Sequence, residues 1–179
     1  MRVVVGMICL CFVACSSIKI AGVHKTENFT LANYKSFAFM KVDTSGSNAI
    51  GPGYETNLAL LKDAITKQME AKGLVLKEDG SDLLVNIGIM ILEKVQTRET
   101  NFANPGDRTA YMGQRNYSWS SQEIEVGRYR EGTVTLHLVD REQNKLMWKG
   151  SAEGVIPEKQ KNVPVLIEQA MAKLFERIN

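Results

Sequence analysis

Apolar and polar positions follow two different periods along this chain. From Leu83 to Val95 the period is two: Val85, Ile87, Ile89, Ile91 and Val95 share one face, and Asn86, Gly88, Met90 and Lys94 the other. All members of the first face are β-branched, so a strand with one core-facing side is expected. Lys35–Met40 alternates in the same way, with Phe37 and Phe39 on one side, and predicts a short strand. Three more strands are expected over Glu123–Arg130, Thr133–Val139 and Leu146–Ile156, the last two joined by a hairpin turn at Asp140–Asn144. Trp148 alternates with Leu146 and Gly150 and reads as core packing. The helical period appears twice. Leu58, Leu61, Ile65 and Met69 form one stripe, closed by Gly73; Val163, Ile167, Ala170, Met171, Leu174 and Ile178 form another, with Asn162 placed to cap it. Residues 43–54 and 98–121 lack either period and carry turn formers, so loops are expected. The order of elements predicts an α+β domain: an antiparallel sheet of about five strands with two helices packed on one face.

The N-terminus obeys neither period. Met1-Arg2 is followed by an uncharged run from Val3 to Val13, then Ala14 and Cys15. A positive start, an apolar core of about 7–15 residues and a small residue are the parts of a secretory signal; a spanning helix needs roughly 20 residues. Phe12-Val13-Ala14-Cys15 resembles the lipobox of bacterial lipoproteins. The resemblance implies cleavage before Cys15 and lipidation of its sulfur, with two or three acyl chains as the anchor. Residues 1–14 are thus expected to be a signal peptide, 15–30 a lipidated N-terminus and tether, and 31–179 one domain. The stretch 16–33 suits a tether or a first edge strand. Ser16 and Ser17 follow Cys15, and no Asp stands at the second position of the expected mature chain, where it would mark inner-membrane retention in enterobacteria; this favours the periplasmic face of the outer membrane.

Composition narrows the function. Lys plus Arg is 22 and Asp plus Glu is 20, a net charge of +2, which speaks against a strongly basic nucleic-acid binder. Cys9 and Cys11 lie inside the leader, so Cys15 is the sole cysteine left after the cut, and no intramolecular disulfide is expected. With His24 and His137 far apart, neither a metal site nor a cofactor site is expected.

The candidates for chemistry are few. His137 shares a strand face with Thr133 and Thr135, and as a general base it would need Asp140 or Glu153 nearby. Glu123 and Glu125 share a face and form the carboxylate pair of a glycosidic alternative. Solvent-facing strand residues explain these groups more simply. The loop at 98–121 holds Phe102, Tyr111, Tyr117 and Trp119 among amide and guanidinium donors, and Tyr129 can extend the same surface. Long loops of this kind are commonly functional, and such residues suit a glycan or a protein partner.

Longer stretches carry a family resemblance. Tyr34 with Phe37, Lys72-Gly73, Asp82–Val85, Gly132 with Asp140, and Trp148, Gly150 and Ala152 follow the pattern of the bacterial lipoproteins grouped as domain of unknown function 4136. Ser81 stands where that family usually has proline. The resemblance covers residues 24–178 and implies a periplasmic α+β domain on a lipid anchor, with no catalytic residues. The expected function is therefore non-catalytic: a lipid-anchored envelope module that binds or docks onto an envelope protein or glycan. The alternative is a cell-wall polymer hydrolase using His137 or the Glu123/Glu125 pair.

Overall fold

The structure is a computed structural model, described here for residues 18–40, 53–100 and 122–178. Cys15, Phe102, Tyr111, Tyr117 and Trp119 lie outside the described residues. Six strands form one sheet: β1 (Lys19–Lys25), β2 (Ser36–Phe39), β3 (Val75–Leu76), β4 (Leu83–Glu99), β5 (Glu123–Asp140) and β6 (Lys145–Val155). Their order across the sheet is β1-β6-β5-β4-β2-β3. Two helices, α1 (Tyr54–Ala71) and α2 (Val163–Phe175), pack on each other over one face.

The α+β class is as expected, and the sheet differs from the expectation in three respects. It is mixed: β2 runs parallel to both β4 and β3, whereas the β4-β5-β6-β1 part is antiparallel. The parallel pair follows from α1, which lies between β2 and β4 in the chain and returns it to the same end of the sheet. β1 comes from the stretch of residues 16–33, and the two-residue β3 adds a further strand beside β2. Lys19–Lys25 is an edge strand on β6, and Ile18 and Phe29 are buried, so the sheet begins well before residue 31. The segments Glu123–Arg130 and Thr133–Val139 are a single strand, because Glu131 and Gly132 continue the pairing with Leu92 and Ile91.

Local chemistry sets the helix ends. Gly73 has φ +89°, and the amides of Leu74 and Gly73 reach back to the carbonyls of Met69 and Glu70 at 3.1 and 2.9 Å. That is the Schellman pattern, and its apolar contact is present, since Leu74 and Met69 are both buried. Asn162 does not cap α2. It has helical φ/ψ at the end of a short 3-10 turn, so its side chain is not turned back toward the first free amides. Pro164 in the first turn of α2 has no amide to satisfy. The helices run in the same sense: Asn57 meets Gln160 near their starts (3.2 Å), and Lys67 meets Glu168 further along (3.4 Å).

The core lies between helices and sheet. Leu58, Leu61, Ile65 and Met69 of α1 and Ile167, Met171 and Leu174 of α2 cover Val85, Ile87, Leu136, Leu138 and Trp148. Phe37 is fully buried and meets Phe39 edge-on at 5.8 Å; the ammonium of Lys62 lies 5.6 Å from the Phe39 ring centre. The core face of β4 stops earlier than its periodicity predicts. Ile89 is half-buried, and Ile91 and Val95 are about half exposed, because the helices end while the strand continues.

Candidate functional site

The residues singled out in the family pattern prove to be builders of the fold. Tyr34 donates its hydroxyl to Asp140 Oδ2 at 3.0 Å, and the amide of Gln143 donates to Oδ1 at 2.8 Å. Asp140 is buried at the end of β5, so this link ties the entry of β2 to the β5–β6 turn. Burial and the neighbouring Asp140 carboxylate raise the Tyr34 phenol to about 12. Asp82 accepts the amides of Lys35 and Ser36 at 2.8 and 3.0 Å, and these bonds hold its carboxyl below the usual range. Its own amide donates to Ser36 Oγ at 3.1 Å, so β2 and β4 are clamped at their starts. Trp148 is fully buried over Gly150, and its indole N–H finds no acceptor among the described residues.

The candidate catalytic groups are scattered. His137 lies on the face of the sheet without helices, between Asn86 and Lys149. Asp140 is three residues on, faces the opposite side and is held by Tyr34, so it does not serve His137. Glu153 pairs across from Thr133, about 13 Å along the strand. Glu123 and Glu125 lie roughly 40–45 Å from His137 along β5. Glu123 accepts from Thr97 Oγ1, and Glu125 pairs with Arg128 at 2.7 Å. Among the described residues no group of three or more His, Cys, Asp or Glu is placed to hold a metal ion.

What the sheet does build is a long ribbon. β6 ends opposite Glu131, yet β4 and β5 pair on to Glu99 and Glu123, about 25 Å further. Thr100 and Gln122 continue the pairing through their backbones. Thr100 and Gln122 thus stand side by side at the ribbon's end. A bulge at Val126, which has no partner between Gln96 and Thr97, twists the ribbon. Met90 and Leu92 are exposed on one face and Ile91 and Val95 on the other, with Val126 exposed near the tip. Tyr129 sits half-buried opposite Lys94, on the same face as Leu92. The ribbon's charges are largely paired with one another: Lys94 with Glu131, and Arg128 with Glu125 and, at 3.8 Å, with Glu93. Among the described residues, β4 beyond Asn86 and β5 before Arg130, whose carbonyl still accepts from the Ile156 amide at 2.8 Å, each have one open backbone edge.

At the ribbon's base the sheet and the helix starts leave an apolar groove of about 110 Å³. Its floor is made of small residues, Gly132, Ala152 and Gly154, and its walls of Ile89, Leu166 and Met171. A Cβ on Gly154 would lie 3.4 Å from Leu166 Cδ1, so glycine there keeps the hollow open. Ile18 forms part of the wall, and Lys19 pairs with Glu153, so the chain enters the domain at this end of the sheet. Nothing in the apolar periodicity marks the groove; its only trace in the sequence is the row of small residues on neighbouring strands. Among the described residues no helix is long and apolar enough to cross a membrane.

Solved structures resemble this fold at low identity. A PDZ domain protein from Parabacteroides distasonis superposes with a TM-score of 0.50 at 12% identity over 87% of this chain. The chain spans 36% of that protein's length. PelC from Paraburkholderia phytofirmans, solved as a dodecamer, gives 0.49 at 8% identity over 90% of this chain and 96% of its own. A minor lipoprotein from Acinetobacter baumannii gives 0.40 at 11% identity over 81% and 90%. No curated protein matches the sequence. The family model for a domain of unknown function (DUF4136) matches residues 22–178, and the chain belongs to that family.

Proposed function

We propose that this protein is a non-catalytic, lipid-anchored lipoprotein of the bacterial envelope that docks onto another envelope protein through its β4–β5 ribbon. The observation that carries the reading is the ribbon itself. Two long strands leave the body with aliphatic side chains on both faces and open backbone edges, the form of surface that takes up a further strand. Single exposed apolar groups are ordinary on a surface; here the ribbon carries exposed aliphatics on both faces, Met90 and Leu92 on one and Ile91 and Val95 on the other. Aliphatic side chains favour a protein partner over a glycan, which is better matched by aromatic planes and polar donors. Anchoring rests on the N-terminal leader, the lipobox-like end and Cys15. Because β1 enters beside the ribbon's base, a partner would meet the ribbon close to the membrane.

The test is photo-crosslinking in the native host with a probe amino acid at Leu92, Val95 or Tyr129. A discrete crosslinked protein band, abolished by Met90→Lys with Leu92→Lys, is the expected result. Crosslinks confined to glycan, or none above a probe placed on α1 at Glu70, would refute the docking reading. Mass spectrometry of the mature N-terminus tests the anchor: acylated Cys15 is expected, and an unmodified chain beginning at Met1 would refute it.

A further inference from the structure

The groove at the ribbon's base is lined almost wholly by hydrocarbon. Among the described residues two polar residues line it, Asn57 and Thr133; Thr133 belongs to the strand face opposite the helices, and the Asn57 amide oxygen is already engaged by Gln160 at 3.2 Å. Among the described residues no charged side chain lines it. A peptide or sugar placed there would leave its polar groups without partners, whereas an alkyl chain has none to satisfy. An apolar cavity of roughly 150 Å³ holds a benzene ring and excludes water, so a hollow of about 110 Å³ has room for a short run of methylene groups. The lining continues past the mouth onto Ile91, which stands half exposed.

Position then indicates the occupant. Ile18 forms part of the groove wall, and Cys15 precedes it by three residues, a span of at most about 11 Å. We infer that the groove shelters a stretch of one acyl chain carried by Cys15 while the protein is away from the bilayer. The inference rests on the lipoprotein reading above. Each methylene withdrawn from water shifts the partition about fourfold. A bilayer takes every methylene of every chain and so empties the groove on insertion. In water the groove is an apolar refuge within reach of Cys15. It lowers the exposure that would otherwise drive the lipidated protein to aggregate.

The experiment uses the full mature protein from cells fed a diazirine-bearing fatty acid, photolysed after dilution out of detergent and again in phosphatidylethanolamine/phosphatidylglycerol vesicles. The expected result is label on Cys15 and crosslinks within the same chain to peptides around Ile89–Ile91 or Leu166–Met171. These should fall about fourfold or more in Gly154→Leu, which fills the floor, and in Ile91→Lys, which places a charge at an exposed lip. They should vanish in vesicles. If Cys15 carries label but the crosslinks avoid the groove, join two chains, or persist undiminished in vesicles, the groove inference is overturned and the anchor stands. If Cys15 carries no label, the anchor reading fails and the groove inference falls with it.

Discussion

Gly150→Ala is a sharp test of how the core was assembled. A methyl group at Gly150 would stand 2.6 Å from Trp148 Cη2, 2.8 Å from Cζ2 and 3.0 Å from Leu174 Cδ1. Real Cβ atoms do not approach so closely, so something must move. Trp148 and Leu174 are both fully buried, and neither has open space to yield into. Overpacking of this kind costs about 1–3 kcal/mol. The loss of glycine's unfolded-state freedom offsets about 0.4–1 kcal/mol of that. The net destabilisation centres on about 1 kcal/mol and reaches about 2.5 kcal/mol at most, so a loss of roughly 2–4 °C in Tm is expected for a domain of this size. Gly88→Ala is the control: it lies on the open face of β4, and its Cβ would meet Thr135 at an ordinary 3.7 Å. Urea unfolding followed by far-ultraviolet circular dichroism reads both variants. If Gly150→Ala proves as stable as Gly88→Ala, the Trp148 ring does not lie over Gly150, and the packing of α2 on β6 is wrongly drawn.

Three further outcomes follow from the same geometry. Ile87→Ala should lose about 2–5 kcal/mol, whereas Ile91→Ala, beyond the helices, should stay within about 0.5–1 kcal/mol of the parent in the same urea titration. Tyr34→Phe removes the hydroxyl bond to buried Asp140 and should cost about 1 kcal/mol at neutral pH. The folded-state phenol sits near 12 and the unfolded one near 10, so the folded state holds this proton more tightly. Parental stability should therefore fall as pH rises from about 10 to about 12, and Tyr34→Phe should lack that part of the fall in a pH series of denaturation midpoints. Asp82 shows the opposite sign, because its carboxyl titrates lower when folded. Its contribution is present above the ordinary carboxylate range and lost as pH falls through the folded value, so Asp82→Asn should flatten the acid limb of the same series.

Much of this protein follows from local pattern alone. The β-branched alternation of Val85, Ile87 and Ile89 makes a strand wherever it is placed, and the stripe Leu58, Leu61, Ile65, Met69 makes a helix whose end Gly73 defines through its positive φ. The class of fold, the burial of Trp148 and the family pattern come from the same short-range information. What the chain could not announce depends on which elements meet. The periodicity of β4 assigns Ile91 and Val95 to the core face, yet only the length of the helices decides how far that face is covered, and there it is not. The parallel setting of β2 depends on α1 carrying the chain back across the sheet, and the Tyr34–Asp140 bond joins residues 106 positions apart. His137, Glu123 and Glu125 looked alike in sequence as polar strand residues. Their separation along one strand became visible only once Glu131 and Gly132 were seen to continue the ladder. The groove is tertiary throughout: Gly132, Ala152 and Gly154 are unremarkable singly, and they make a hollow only because pairing brings them side by side under Leu166 and beside Ile18.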